Sequence, residues 1–160
     1  MENRNDDGSD RASAGMDPRD LLIALAARLN RVNGMVLSRQ STRLTFRQYR
    51  TLVRVREGNR SMSQLAARSN LSLPTVSENV DGLIRRGLLT AAPSSLDRRV
   101  VVLEVTEEGA RAAEEATRAL RAVAETVTAG LSELDKGVLD RAIALLYDEA
   151  TTLLKEERGD

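Results

Sequence analysis

Apolar residues recur with helical spacing over most of the chain. From Asp17-Pro18, an N-cap followed by a proline in the first turn, Leu21, Leu25, Leu29, Val32 and Val36 step by threes and fours and predict a long amphipathic helix. Ahead of it, Met1 to about Met16 holds Asn, Asp, Ser and Gly without apolar periodicity and reads as a disordered tail. A second helix is expected from Thr45, because Thr45-Phe46-Arg47-Gln48 has the capping-box pattern. It carries Phe46, Tyr49, Leu52 and Val53 inward and stops at Gly58-Asn59.

Another capping box, Ser61-Met62-Ser63-Gln64, opens a short helix that ends at Asn70, a residue that tolerates the left-handed backbone of a sharp turn. Ser72 caps the next helix. Pro74 is harmless in its first turn, where the N–H would lack an intrahelical partner. Val76, Val80, Leu83 and Ile84 line one face, and Gly87 closes the helix. A short helix, a tight turn and a second helix in succession form a helix-turn-helix, the first helix bracing the second.

After Gly87 the period changes. Leu88 to Ala92 and Val100 to Val105 predict two strands joined by a turn-rich loop from Pro93 to Arg99. Thr106 then caps a long helix, with Glu107 and Glu108 placed well against its N-terminal dipole. Along it Ala113, Ala116, Leu120, Val123, Val127 and Leu131 approach a coiled-coil seam. Ser132-Glu133-Leu134-Asp135 caps a last helix whose apolar face is Leu134, Val138, Ile143, Leu146 and Leu153. The fold expected is mainly α with a small β-hairpin: a winged helix-turn-helix joined to a helical region.

Composition narrows the chemistry. The 160 residues suit one domain, and 41% hydrophobic with 30% charged residues allow a core. Neither an uninterrupted run of about 18 apolar residues nor a signal peptide is evident, so a cytoplasmic protein without a membrane partner is expected. The absence of cysteine and histidine removes disulfides, thiolate redox sensing and the commonest metal ligand and general base; no metal or cofactor is expected. The paired acids Glu114-Glu115 and Glu156-Glu157 lie on charged helix faces with no nucleophile elbow or phosphate loop nearby, so no enzyme is expected. Three aromatics are too few for a single-strand stacking platform.

A net charge of zero conceals a strong segregation. Met1–Asp20 carries −3 and Glu104–Asp160 carries −7, whereas Leu21–Leu103 holds fourteen arginines against four acids, +10. Such a basic middle segment is the electrostatic footprint that phosphate backbones attract.

Several fragments carry a resemblance: Leu44-Thr45-Phe46-Arg47-Gln48-Tyr49, Ser63-Gln64-Leu65-Ala66, Thr75-Val76-Ser77, Val80-Asp81-Gly82-Leu83, Gly87-Leu88-Leu89, Asp97-Arg98-Arg99 and Val105-Thr106-Glu107-Glu108-Gly109. In order, from Leu44 to Arg111, they resemble the MarR family of winged helix-turn-helix transcriptional regulators. The resemblance implies a homodimer in which the first and the last two helices of each chain interlock, while two winged lobes straddle a pseudopalindrome in double-stranded DNA. The expected organisation is a tail (1–16), an N-terminal dimerisation helix (17–42), a DNA-binding region (43–105, with its recognition helix at about 73–86 and its wing at about 88–105) and C-terminal dimerisation helices (106–157). The function expected is a ligand-responsive repressor; the alternative is a protein-interaction module, such as an antirepressor, on the same scaffold.

Off the core face of the recognition helix stand Pro74, Thr75, Ser77, Glu78 and Asp81, with Ser72 at its N-terminus. Hydroxyls can bond phosphates or base edges, Pro74 can touch a thymine methyl, and Glu78 can accept from cytosine N4. Glu78 departs from the family, where this position is frequently basic or polar, and Asp81 is expected to brace the fold. The two acids weaken nonspecific attraction, and the nearest arginines, Arg85 and Arg86, sit at the far end of the helix. Asp97 and Arg99 resemble the family's wing motif, in which the acid buttresses an arginine aimed into the minor groove, with Arg98 beside it on a phosphate. Arg68, just before the turn, is a further phosphate candidate. The resemblance also implies a cleft among the first, second and fifth helices for a small lipophilic or aromatic effector, with Arg28, Asn33 and Tyr49 as candidate contacts. Without cysteine or histidine, thiol-based peroxide sensing and zinc sensing are set aside.

Overall fold

The computed structural model describes residues 15–93 and 101–156. Along them run α1 (Pro18–Ser38), α2 (Phe46–Arg56), α3 (Met62–Ser69), α4 (Leu73–Arg85), β1 (Leu89–Pro93), β2 (Val101–Val105), α5 (Glu107–Thr128) and α6 (Glu133–Glu156). The architecture is mainly helical with one antiparallel hairpin, as the hydrophobic periods predict. The expected tail lies outside the described residues up to position 14.

Each helix start has a local cause. Asp17 accepts from the Arg19 N–H with Pro18 behind it, and both capping boxes form as predicted, Thr45 with Gln48 and Ser61 with Gln64. Asn70 takes the left-handed conformation, φ +54°, that turns the chain from α3 into α4. Gly87 closes α4 at φ +69°, its N–H bonded to the Ile84 carbonyl at 2.8 Å.

The core lies where α2, α3, α4, the hairpin and the first half of α5 meet, around Leu52, Leu65, Val80, Leu83, Leu88 and Leu103. Phe46 is not part of it. At 39% exposure it faces out, while Thr51, Leu52 and Val55 form the inner face and Tyr49 and Val53 are half-buried. A helix turns about 100° per residue, so Phe46 lies roughly 120° away from Leu52.

The hairpin pairs Leu89 with Val105 and Pro93 with Val101. Its free edge is partly closed by the loop before α3, because the Leu103 N–H donates to the Arg60 carbonyl at 2.8 Å, and an Arg60–Glu104 ion pair at 3.7 Å lies alongside. Thr106 fastens the wing to α5: its hydroxyl donates to the Gly87 carbonyl at 2.7 Å and accepts from the Gly109 N–H at 3.0 Å. A Cβ on Gly109 would collide with the Leu88 carbonyl, which is why the glycine stands there.

The apolar faces predicted for α1, for the second half of α5 and for α6 meet little of their own chain. Leu37 is the buried residue of α1, and the burial on α5 stops at Ala116. None of the described residues of α6 is buried, and Leu134 is 79% exposed. α1 is also long and apolar enough, by length and composition, to cross a membrane, although it holds no uninterrupted apolar run. It packs against α5, and Arg28 and Arg31 interrupt its apolar positions.

Candidate nucleic-acid interface

The second helix of the helix-turn-helix is held on three sides. Val76, Val80 and Leu83 are buried under it, Asn79 donates to the Thr51 hydroxyl of α2 at 2.7 Å, and the Leu71 N–H bonds back to the Ala66 carbonyl of α3. Its N-terminus is closed by Ser72, whose hydroxyl lies 2.9 Å from that of Thr75 and accepts from the Thr75 N–H at 3.4 Å. What remains outward is polar: Ser72, Pro74, Glu78 and Asp81 are exposed, with Thr75 and Ser77 half-buried beside them. The structure therefore brings Ser72, Pro74, Thr75, Ser77 and Glu78 onto one end of one helix. Leu73, which the pattern does not single out, joins them at 54% exposure.

A cleft of about 520 Å³ runs between this face and the N-terminus of α2, lined by Thr45, Arg47, Gln48, Thr75, Glu78, Asn79, Gly82 and Arg85. Beside Arg85 of α4 it gains a cation from another helix, because Arg47 of α2 stands across the cleft from Glu78. The two residues are far apart in the chain, so only the packing of α2 on α4 reveals the pairing of faces. Arg86 turns elsewhere and braces the fold, donating to the Gln48 side chain at 3.1 Å and to the Arg43 carbonyl at 2.6 Å, which ties the end of α4 to the start of α2.

Other candidates are placed elsewhere. Arg68, in the last turn of α3, lines a separate cleft with Arg50, Arg54 and the C-terminal part of α6. Asp97, Arg98 and Arg99 lie outside the described residues, between the strands whose ends are Pro93 and Val101. Tyr49 uses its hydroxyl on Thr117 of α5, at 3.2 Å, while Asn33 is half-buried and Arg28 exposed on α1. None of these three lines the apolar cavity between α1 and α5, about 420 Å³, whose walls include Val32, Val36, Ala119, Val123 and Val127. Groups of three or more acidic, histidine or cysteine side chains able to hold a metal are absent among the described residues.

A helix-turn-helix followed by a two-stranded wing defines a winged helix-turn-helix protein. Residues 44–100 match the model of the MarR family. The matched stretch takes in α2, α3, α4 and β1, the helix-turn-helix and the first strand of the wing. The fold is similar to that of Streptococcus pneumoniae FabT, solved in complex with DNA, at 22% identity and a TM-score of 0.75, covering 84% of this chain and 96% of that one. It is similar to a MarR family protein from Bacillus stearothermophilus at 24% identity and a TM-score of 0.74, covering 86% and 99%. It is also similar to CouR from Rhodococcus jostii RHA1, solved with p-coumaroyl-CoA, at 23% identity and a TM-score of 0.70, covering 90% and 95%. No curated protein matches the sequence.

Proposed function

We propose that this protein is a DNA-binding transcriptional regulator that acts as a homodimer on a pseudopalindromic operator, represses by occluding the promoter, and responds to a small effector. The observation that carries this reading is the polar N-terminal end of α4, presented by a MarR-family helix-turn-helix inside the basic part of the chain. Ser72, Pro74, Thr75, Ser77 and Glu78 enter the major groove. Arg99, buttressed by Asp97, reaches the minor groove, and Arg98 meets a phosphate. FabT was solved with DNA and CouR with p-coumaroyl-CoA, which supports both partners for this fold.

Dimerisation is supported by the helices that the chain leaves uncovered. A helix of 24 residues bearing Leu134, Val138, Ile143, Leu146 and Leu153 and burying none of its described residues has too little of its own chain to stabilise it. A second copy, covering α1, α5 and α6 together, gives the shared core of an obligate dimer.

The test is fluorescence anisotropy with DNA from the gene's own upstream region and a scrambled control, at two salt concentrations, beside light scattering for mass. Preferential binding that falls with salt and is lost in Arg99→Ala, with the dimer mass unchanged, supports the reading. A dimer that binds neither DNA favours the second reading, an interaction module, for which the exposed acids Glu78 and Asp81 on α4 are the specific observation.

A further inference from the structure

Between the first two helices of the winged region, α2 and α3, and the last helix, α6, four cationic side chains surround one space. Arg50 and Arg54 of α2, Arg68 of α3 and Lys155 of α6 line a cleft of about 240 Å³, with Tyr147, Ala150, Thr151 and Leu154 of α6 along its rim. No acidic side chain lines it. The acids of this stretch of α6, Asp148, Glu149 and Glu156, are outside the lining, and Arg50, Arg68 and Lys155 make no ion pair among the described residues. Arg50 and Arg54 are one helical turn apart, so two guanidinium groups share one face, half-buried, with a third opposite.

Arg50, Arg68 and Lys155 gather like charge around this recess without an ion-pair partner among the described residues, and a bound anion offsets that repulsion. Guanidinium forks match the paired oxygens of phosphate and carboxylate, and the Tyr147 hydroxyl adds a neutral donor on the α6 side. The volume admits a small molecule and excludes a bulky cofactor. We propose that this cleft is a binding site for a small, multiply charged anion, a phosphate ester or a di- or tricarboxylate. Its walls come from α2, α3 and α6, so an occupant joins the base of the helix-turn-helix to the last helix. Arg68, one residue short of the end of α3, lies two positions from the Asn70 turn that aims α4. The site stands independently of the DNA-binding reading, because it is tested on the free protein.

The experiment is isothermal titration calorimetry of the full chain in low-chloride buffer with inorganic phosphate, citrate and benzoate as probes. Tyrosine fluorescence is followed alongside, since the chain has no tryptophan and only two tyrosines. Saturable binding of phosphate or citrate at one site per chain, weakened about tenfold or more in Arg50→Gln and in Arg68→Gln, is the expected result. Phosphate alone assigns a phosphate ester, citrate alone a polycarboxylate. Lys155→Gln, on the exposed end of α6, gives the same loss with little risk to folding; circular dichroism checks each variant. Benzoate binding tighter than both polyanions, no saturable binding of either polyanion, or binding unchanged in all three variants would overturn the proposal.

Discussion

Asn79, on the helix that faces outward with Ser72 and Glu78, donates its side-chain amide to the Thr51 hydroxyl at 2.7 Å, and Thr51 is buried in the face of α2. One polar contact inside an apolar interface thus sets the rotation of α4 about its own axis. An apolar contact tolerates sliding, whereas a hydrogen bond does not.

Thr51→Val keeps the shape and removes the acceptor, leaving the amide without its partner. A loss of about 1–2 kcal/mol in unfolding free energy is expected. Chemical denaturation of Thr51→Val, Asn79→Ala and the double variant reads it, with the double costing less than the sum. Strict additivity would mean that the two side chains contribute separately.

Gly109 supports a second prediction. Its missing Cβ is the space into which the Leu88 backbone fits, 2.9 Å from the Leu88 carbonyl carbon to the position a Cβ would take. Gly109→Ala therefore costs about 2–3 kcal/mol although alanine is the better helix former, since neither backbone can give way cheaply. A thermal melt that instead rises, as helix propensity alone would have it, would refute the close-approach account.

How much of this is legible from residue order depends on the range of the interaction. Caps, turns and periods are local, so Thr45, Ser61, Asn70, Ser72, Gly87 and Thr106 announce the element boundaries that the structure shows. Which face of α2 turns inward is decided by α4 and α5, and the misplaced Phe46 shows the limit: a large aromatic residue near a helix start reads as core because it is large. Arg47 beside Glu78, and Arg68 beside α6, are products of packing between segments distant in sequence.

Acidification tests a surface contact. The Ser41 hydroxyl and then its backbone N–H donate to Glu115, holding that carboxyl below the ordinary glutamate range. A folded pKa below the unfolded one gives stability that is present above the unfolded value and is lost as pH falls through the folded value. Ser41→Ala should therefore melt slightly below the wild type at neutral pH, with the gap closing as the pH falls below the ordinary glutamate range. A gap independent of pH would assign the effect to packing of the loop before α2 instead.

Charge on the groove face gives a direct test on DNA. Glu78 is exposed and faces the cleft shared with Arg47. Glu78→Gln is expected to tighten binding to scrambled DNA about 1.5- to 5-fold at low salt, the range of exposed charge interactions, and less at high salt. Anisotropy titrations at two ionic strengths measure it; weaker binding of scrambled DNA would show that Glu78 is not simply a repelling charge.

The foot of α5 is clamped to the wing by Thr106 and Gly109, and its other end runs out alongside α1. Twenty-two residues make a rod of about 33 Å with no proline to break it. Fixed at one end and gripped at the other, such a rod is a lever arm. A tilt of about 10° at the gripped end carries the wing through roughly 6 Å, on the scale by which rigid-body rotations re-register an interface. In the proposed dimer, the spacing between the two wings would thereby be geared to the packing of the helices far from them.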